Sequence, residues 1–133
     1  MRIPPSYGPA RNRRYPVLYL LDGQHMLAPV TESLGWGLGS VLTKLVKQKT
    51  IAEPLAVGIW NTPMRIHEYS PQKAFDRYLE PTQLETVAKT GFYPCSDASL
   101  DFVVRRLKPH IDSVYRTRPE AEHTLSWERA WAR

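Results

Sequence analysis

The stretch Tyr15-Pro-Val-Leu-Tyr-Leu-Leu-Asp-Gly23 decides the fold. Residues 15–21 form a continuous apolar run rich in β-branched and aromatic side chains. A run of that length without polar alternation suits a strand buried on both faces, the condition of a parallel sheet. Asp22-Gly23 breaks it sharply. A second run of the same character, Leu55-Ala-Val-Gly-Ile-Trp60, is ended by Asn61-Thr-Pro63. Between the two, Leu38, Val41, Leu42 and Leu45 recur at helical spacing and predict an amphipathic helix to about Lys49. Thr31-Glu-Ser reads as its start, with Gly35, Gly37 and Gly39 weakening its first turns. The two strands are expected side by side and parallel, with this helix as the crossover.

Downstream, residues 61–97 carry Pro63, Pro71, Pro81 and Pro94 and little periodicity. They read as a long loop excursion, with one helical turn near 83–88. Leu100, Val103, Val104, Leu107 and Ile111 mark a second amphipathic helix, capped by Ser96 or Asp97 and kinked or divided at Pro109. His123-Thr-Leu-Ser126 opens a third strand. The order strand, helix, strand, loop, helix, strand argues for an α/β fold with a mainly parallel sheet and flanking helices, in one domain over 1–133.

Composition narrows the classes. Apolar residues make up 42% and charged residues 23%, which excludes a disordered chain or a coiled coil. No stretch approaches the roughly 18 apolar residues of a membrane span. The first residues, Met-Arg-Ile-Pro-Pro-Ser-Tyr-Gly-Pro, hold no apolar h-region, so a cytoplasmic location is expected. Arg2, Arg11, Arg13 and Arg14 fall within the first 14 residues, where no acid occurs. Such an arm can neutralise phosphates. It carries no interleaved aromatics for base stacking, so it reads as a solvated loop, and neither nucleic acid nor a membrane is an expected partner. Cys95 is the single cysteine and reads as an inert thiol. His25, His67, His110 and His123 show no H-x-x-x-H spacing, so no metal and no cofactor are expected.

In open parallel sheets, ligands bind beyond the carboxyl ends of the strands. Leu21-Asp22-Gly23-Gln24-His25 and Gly58-Ile-Trp60-Asn61 both land there. Gly23 permits a turn that aims the following amide outward, where it can donate to a developing oxyanion. Taken alone, Asp22-Gly23 is an ordinary turn dipeptide, and Trp36 and Trp60 are core or rim aromatics.

The string from Arg14 to Gln24 resembles the putative-esterase family of α/β-hydrolases, which includes enterochelin-esterase-like and S-formylglutathione-hydrolase-like enzymes and the mycolyltransferases. Val57-Gly-Ile, Arg65-x-x-Glu68-Tyr-Ser-Pro71, Phe102 through Leu107-Lys-Pro-x-Ile-Asp112, Tyr115-Arg-Thr-Arg-Pro119 and Glu122-His-Thr124 also match, in the family's order. The resemblance implies a serine esterase or acyl hydrolase acting on a small-molecule carboxylic ester or thioester. It implies that the Gln24 backbone amide is one of two oxyanion-hole donors. Asp22, Gly23, Trp36 and Trp60 would lie at the substrate site, and Glu68 and Tyr69 would shape its wall. His123 would be structural.

Such an enzyme needs a G-x-S-x-G elbow, followed in the chain by Asp or Glu and then His. No G-x-S-x-G occurs in the 133 residues. Where the resemblance calls for the elbow, the chain reads Ser126-Trp-Glu-Arg-Ala-Trp-Ala-Arg133. One permitted codon spelling of Ser126 to Ala132 encodes Met-Gly-Ala-Ser-Leu-Gly in a shifted frame. The expectation is a non-native, frameshifted tail over 126–133 and a partial α/β-hydrolase that is inactive as it stands. The rival expectation is a non-catalytic truncated remnant or a small binding module.

Overall fold

The computed structural model describes residues 1–26, 28–29 and 35–126 of the 133. The chain divides into two compact units, Met1–Asn61 with Asp112–Arg133, and Thr62–Ile111.

The first unit is built on a three-stranded parallel sheet in the order β2-β1-β3, with β1 at Val17–Leu20, β2 at Leu55–Gly58 and β3 at Thr124–Ser126. β1 pairs with β2 from Val17↔Leu55 to Leu20↔Gly58, and with β3 from Val17↔Thr124 to Tyr19↔Ser126. The centre of the sheet is dry, as the unbroken apolar runs require. Val17, Tyr19 and Leu20 on β1 and Leu55, Ala56 and Val57 on β2 are all buried. Two bridges extend it: Arg2 pairs antiparallel with Ala56, and Tyr15 pairs parallel with Thr117. The connection from β1 to β2 runs through α1, Leu38–Lys47. Leu42 of α1 packs with Leu20, Met26 and Ala56, with Leu18, Leu38 and Ile51 against the same cluster. Burying a side chain such as Leu42 contributes about 1.5–3 kcal/mol.

The helix departs from the expectation at its start and on its face. Gly37 sits in the left-handed region (φ 56°) and ends the helix backwards, so the first helical residue is Leu38. The expected start at Thr31-Glu-Ser lies outside the described residues. Val41, expected on the apolar face, is 46% exposed.

The second unit corrects the expectation of a long loop. Helices α2 at Arg65–Tyr69, α3 at Gln72–Tyr78, α4 at Pro81–Lys89 and α5 at Ser96–Phe102 fill that stretch. The four prolines that suggested a loop each stand within two residues of a helix start. There, proline's missing N–H and fixed φ favour entry into the helix. Ring contacts join the pieces: His67 lies 5.0 Å from Phe92 and 4.7 Å from Tyr93, and Phe75 lies 5.5 Å from Phe92. The Cys95 N–H donates to the His67 carbonyl at 2.8 Å. Neither expected cap closes α5. Its first residue follows Cys95, and the Ser96 hydroxyl instead accepts the Gln72 N–H at 3.0 Å. Pro109 acts as anticipated. A π-helical segment, Val103–Leu107, separates α5 from α6 at Lys108–Val114. Proline denies the carbonyl four residues back its partner and crowds it, and a local widening of the helix relieves both problems.

Candidate active site

β1 and β2 end together, and two glycines let them approach. A Cβ on Gly23 would lie 2.4 Å from both the carbonyl carbon and the Cα of Gly58, and one on Gly58 would lie 2.9 Å from the Gly23 Cα. Two hydrogen bonds close the junction: Ile59 N–H to the Leu20 carbonyl and Gly23 N–H to the Ile59 carbonyl, both 2.8 Å.

The turn itself differs from the expectation in one respect. Its left-handed residue is Asp22 (φ 53°, ψ 40°), and Gly23 serves the close approach instead. Asp tolerates that conformation better than most residues because its short polar side chain can bond locally. Here the Asn61 side-chain N–H donates to Asp22 Oδ1 at 2.7 Å, and the Asn61 backbone N–H reaches toward Gln24 Oε1 at 3.4 Å.

From Asp22 the chain makes one 3₁₀ turn, Gly23–His25. The Gly23 amide is engaged by Ile59, the His25 amide by the Asp22 carbonyl at 3.1 Å, and the Met26 amide by the Gly23 carbonyl at 3.2 Å. Gln24 is the exception: among the described residues its backbone N–H has no acceptor. It lies half-buried at the carboxyl end of the central strand. The returning segment is fastened to the same turn. Trp36 N–H donates to the His25 carbonyl at 3.0 Å, and Leu38 N–H to the Met26 carbonyl at 3.1 Å.

The structure therefore brings Asp22, Gly23, Gln24, Trp36, Trp60 and Asn61 to one rim of the first unit. Trp36 is 40% exposed and Trp60 74%, so both are rim aromatics and neither belongs to the core. Glu68 and Tyr69 stand on α2 of the second unit and are engaged locally. Glu68 Oε1 accepts the Thr62 hydroxyl at 2.8 Å, and the Arg65 guanidinium sits 5.0 Å from the centre of the Tyr69 ring. Asn61 is the rim residue whose side-chain role was not legible in the sequence. Gly58 was the available signal, since a glycine inside a buried strand marks a close backbone approach.

Beneath the rim, Tyr19 is no candidate base. Burial, with Asp112 adding to it, pushes its phenol up to about 12, so it is neutral at physiological pH. Among the described residues no group of three or more His, Cys, Asp or Glu side chains is placed to hold a metal ion. A shallow groove of about 520 Å³ along α1, lined by Ser40, Thr43, Lys44 and Lys47 among others, shares no residue with the rim.

A family model described as "Putative esterase" matches residues 1–126. The chain belongs to the putative esterase family. The match spans all three strands, the Asp22–Gln24 turn and both units, so this esterase-family domain has a partial α/β fold. No curated protein and no solved structure matched the chain. Among the described residues no helix is long and apolar enough to cross a membrane.

Proposed function

We propose that the chain carries the oxyanion side of a serine-type hydrolase for small carboxylic esters or thioesters, of the enterochelin-esterase-like or S-formylglutathione-hydrolase-like kind. The observation that carries this reading is the Gln24 N–H on the turn at the end of β1, which has no acceptor among the described residues. When a nucleophile attacks an ester carbonyl, the carbonyl oxygen gains negative charge. A fixed amide at that point stabilises the charge without reorganising. Asp22, Trp36 and Trp60 would border the acyl or alcohol group.

The same reading makes these 133 residues catalytically silent alone. Acyl transfer needs a nucleophile and a base in hydrogen-bond reach, and no G-x-S-x-G holds a serine here. That absence also favours a second reading, a non-catalytic binding module that retains the family fold. Hydrolysis of a short-chain p-nitrophenyl ester by the purified chain and its Ser126→Ala variant tests the assignment. No turnover above buffer is expected from either. Robust turnover abolished by the substitution would make Ser126 a nucleophile and overturn the site as drawn.

A further inference from the structure

We propose that Asn61 is the positioning residue of this site: its carboxamide, bound to Asp22, holds the turn that presents the Gln24 amide. The inference rests on the reading of Gln24 as the oxyanion donor. Asp22 adopts a left-handed conformation that costs a non-glycine residue about 1–2 kcal/mol and persists only where the surroundings impose it. Asn61 imposes it from the neighbouring strand end. Its Nδ2 donates to Asp22 Oδ1 at 2.7 Å, and its backbone N–H points at Gln24 Oε1 at 3.4 Å. The two residues flanking Gly23 are thus both tied to Asn61, while Gly23 itself is tied to Ile59. Every one of these anchors comes from the end of β2. Among the described residues the Gln24 amide is left without an acceptor, while the amides of Gly23, His25 and Met26 are engaged.

Asn61→Asp converts this bond into a test with a pH signature. Two carboxylates at hydrogen-bond distance repel, so the turn should open at neutral pH. Their repulsion raises the pair's first proton uptake above the ordinary carboxylate value of ~4, so by pH ~4 one proton can bridge the pair and the turn should close again. Among the described residues, β1 and β2 bring only Tyr19, neutral over this range, with Asp112 acting on it and Arg2 paired to β2 at Ala56; α1 has Lys44 and Lys47 in its later turns, and the turn itself carries His25. The wild-type chain, measured at both pH values, accounts for His25.

The probe is dimethyl phosphate, a tetrahedral oxyanion with one negative charge across this range, titrated against the ¹⁵N-labelled chain. In the wild type the Gln24 amide resonance is expected to shift at both pH values, ahead of those of Gly23, His25 and Met26. In Asn61→Ala the apparent affinity is expected to fall roughly tenfold, with the amides of β1 and β2 still protected from exchange. In Asn61→Asp the response should vanish near neutral pH and return near pH ~4. Should the alanine variant lose β-sheet protection, the aspartate variant decides the matter, because both states are read on one protein. A wild type that does not respond overturns the oxyanion reading of Gln24. A wild type that responds, with Asn61→Asp equally responsive at both pH values, overturns the role of Asn61 alone.

Discussion

Gly23 and Gly58 touch backbone to backbone, and a methyl group on either has nowhere to go. Gly23→Ala would place its Cβ 2.4 Å from two main-chain atoms of Gly58. Relief requires the strand ends to part, and the expected loss of stability is about 1–3 kcal/mol or more. Gly8→Ala is the control. Nothing lies within 4 Å of its Cβ position and its φ is −65°, so it should be neutral or stabilising by about 0.4–1 kcal/mol. Urea denaturation of the two variants checks the contrast, and equal effects would refute the close approach. Tyr19 gives a second prediction at this scale. Its hydroxyl is buried and has no hydrogen-bond partner among the described residues, so Tyr19→Phe should leave stability unchanged or raise it slightly. The folded phenol titrates near 12 against 10.0 for the ordinary group, so the folded state holds its proton longer than the unfolded state. The stability tied to the neutral phenol is complete below pH 10 and is lost as pH rises through 12. Alkaline denaturation should therefore come at higher pH in Tyr19→Phe than in the wild type, and coincident curves would count against it.

At the scale of elements, the strands were legible and the helices of the second unit were not, for one physical reason. A buried parallel strand must be apolar on both faces, so residues 15–21 and 55–60 announce themselves. A short helix at a surface need not show a full apolar stripe, and its prolines look like loop punctuation until their positions are known. Pro81 illustrates the point. It is the first residue of α4, and the side chain of Gln83 reaches back to accept the Glu80 N–H at 2.9 Å. Glu-Pro-x-Gln was there to be read as a helix start. Gln83→Ala should weaken α4 by about 1 kcal/mol, the usual scale of a lost cap, visible as reduced helicity in circular dichroism. At the site, the turn was legible from Asp22-Gly23 because glycine and strand ends restrict what the backbone can do. The Asn61–Asp22 bond was not, since side-chain pairing across 39 residues leaves no mark in local sequence.

At the scale of the whole molecule, stability is uneven. The first unit contains the buried strands, Met26 and Leu42, whereas Ile111 is the only buried residue described in the second. Elements with few buried apolar contacts open at low free-energy cost. Amides of α2, α3 and α4 should therefore exchange with solvent faster than those of β1 and β2, and limited proteolysis should cut first within Thr62–Ile111. Uniform protection across both units would contradict that division. The same exchange experiment, read at single-residue resolution, tests whether the Gln24 amide is open to a bound oxygen. Four consecutive amides, Gly23 to Met26, share one turn, and three of them have backbone acceptors. Protection is expected at Gly23, His25 and Met26, with near-unprotected exchange at Gln24. Protection at Gln24 equal to that of its neighbours would mean its N–H is already bonded inside the fold, and the oxyanion donor would be lost.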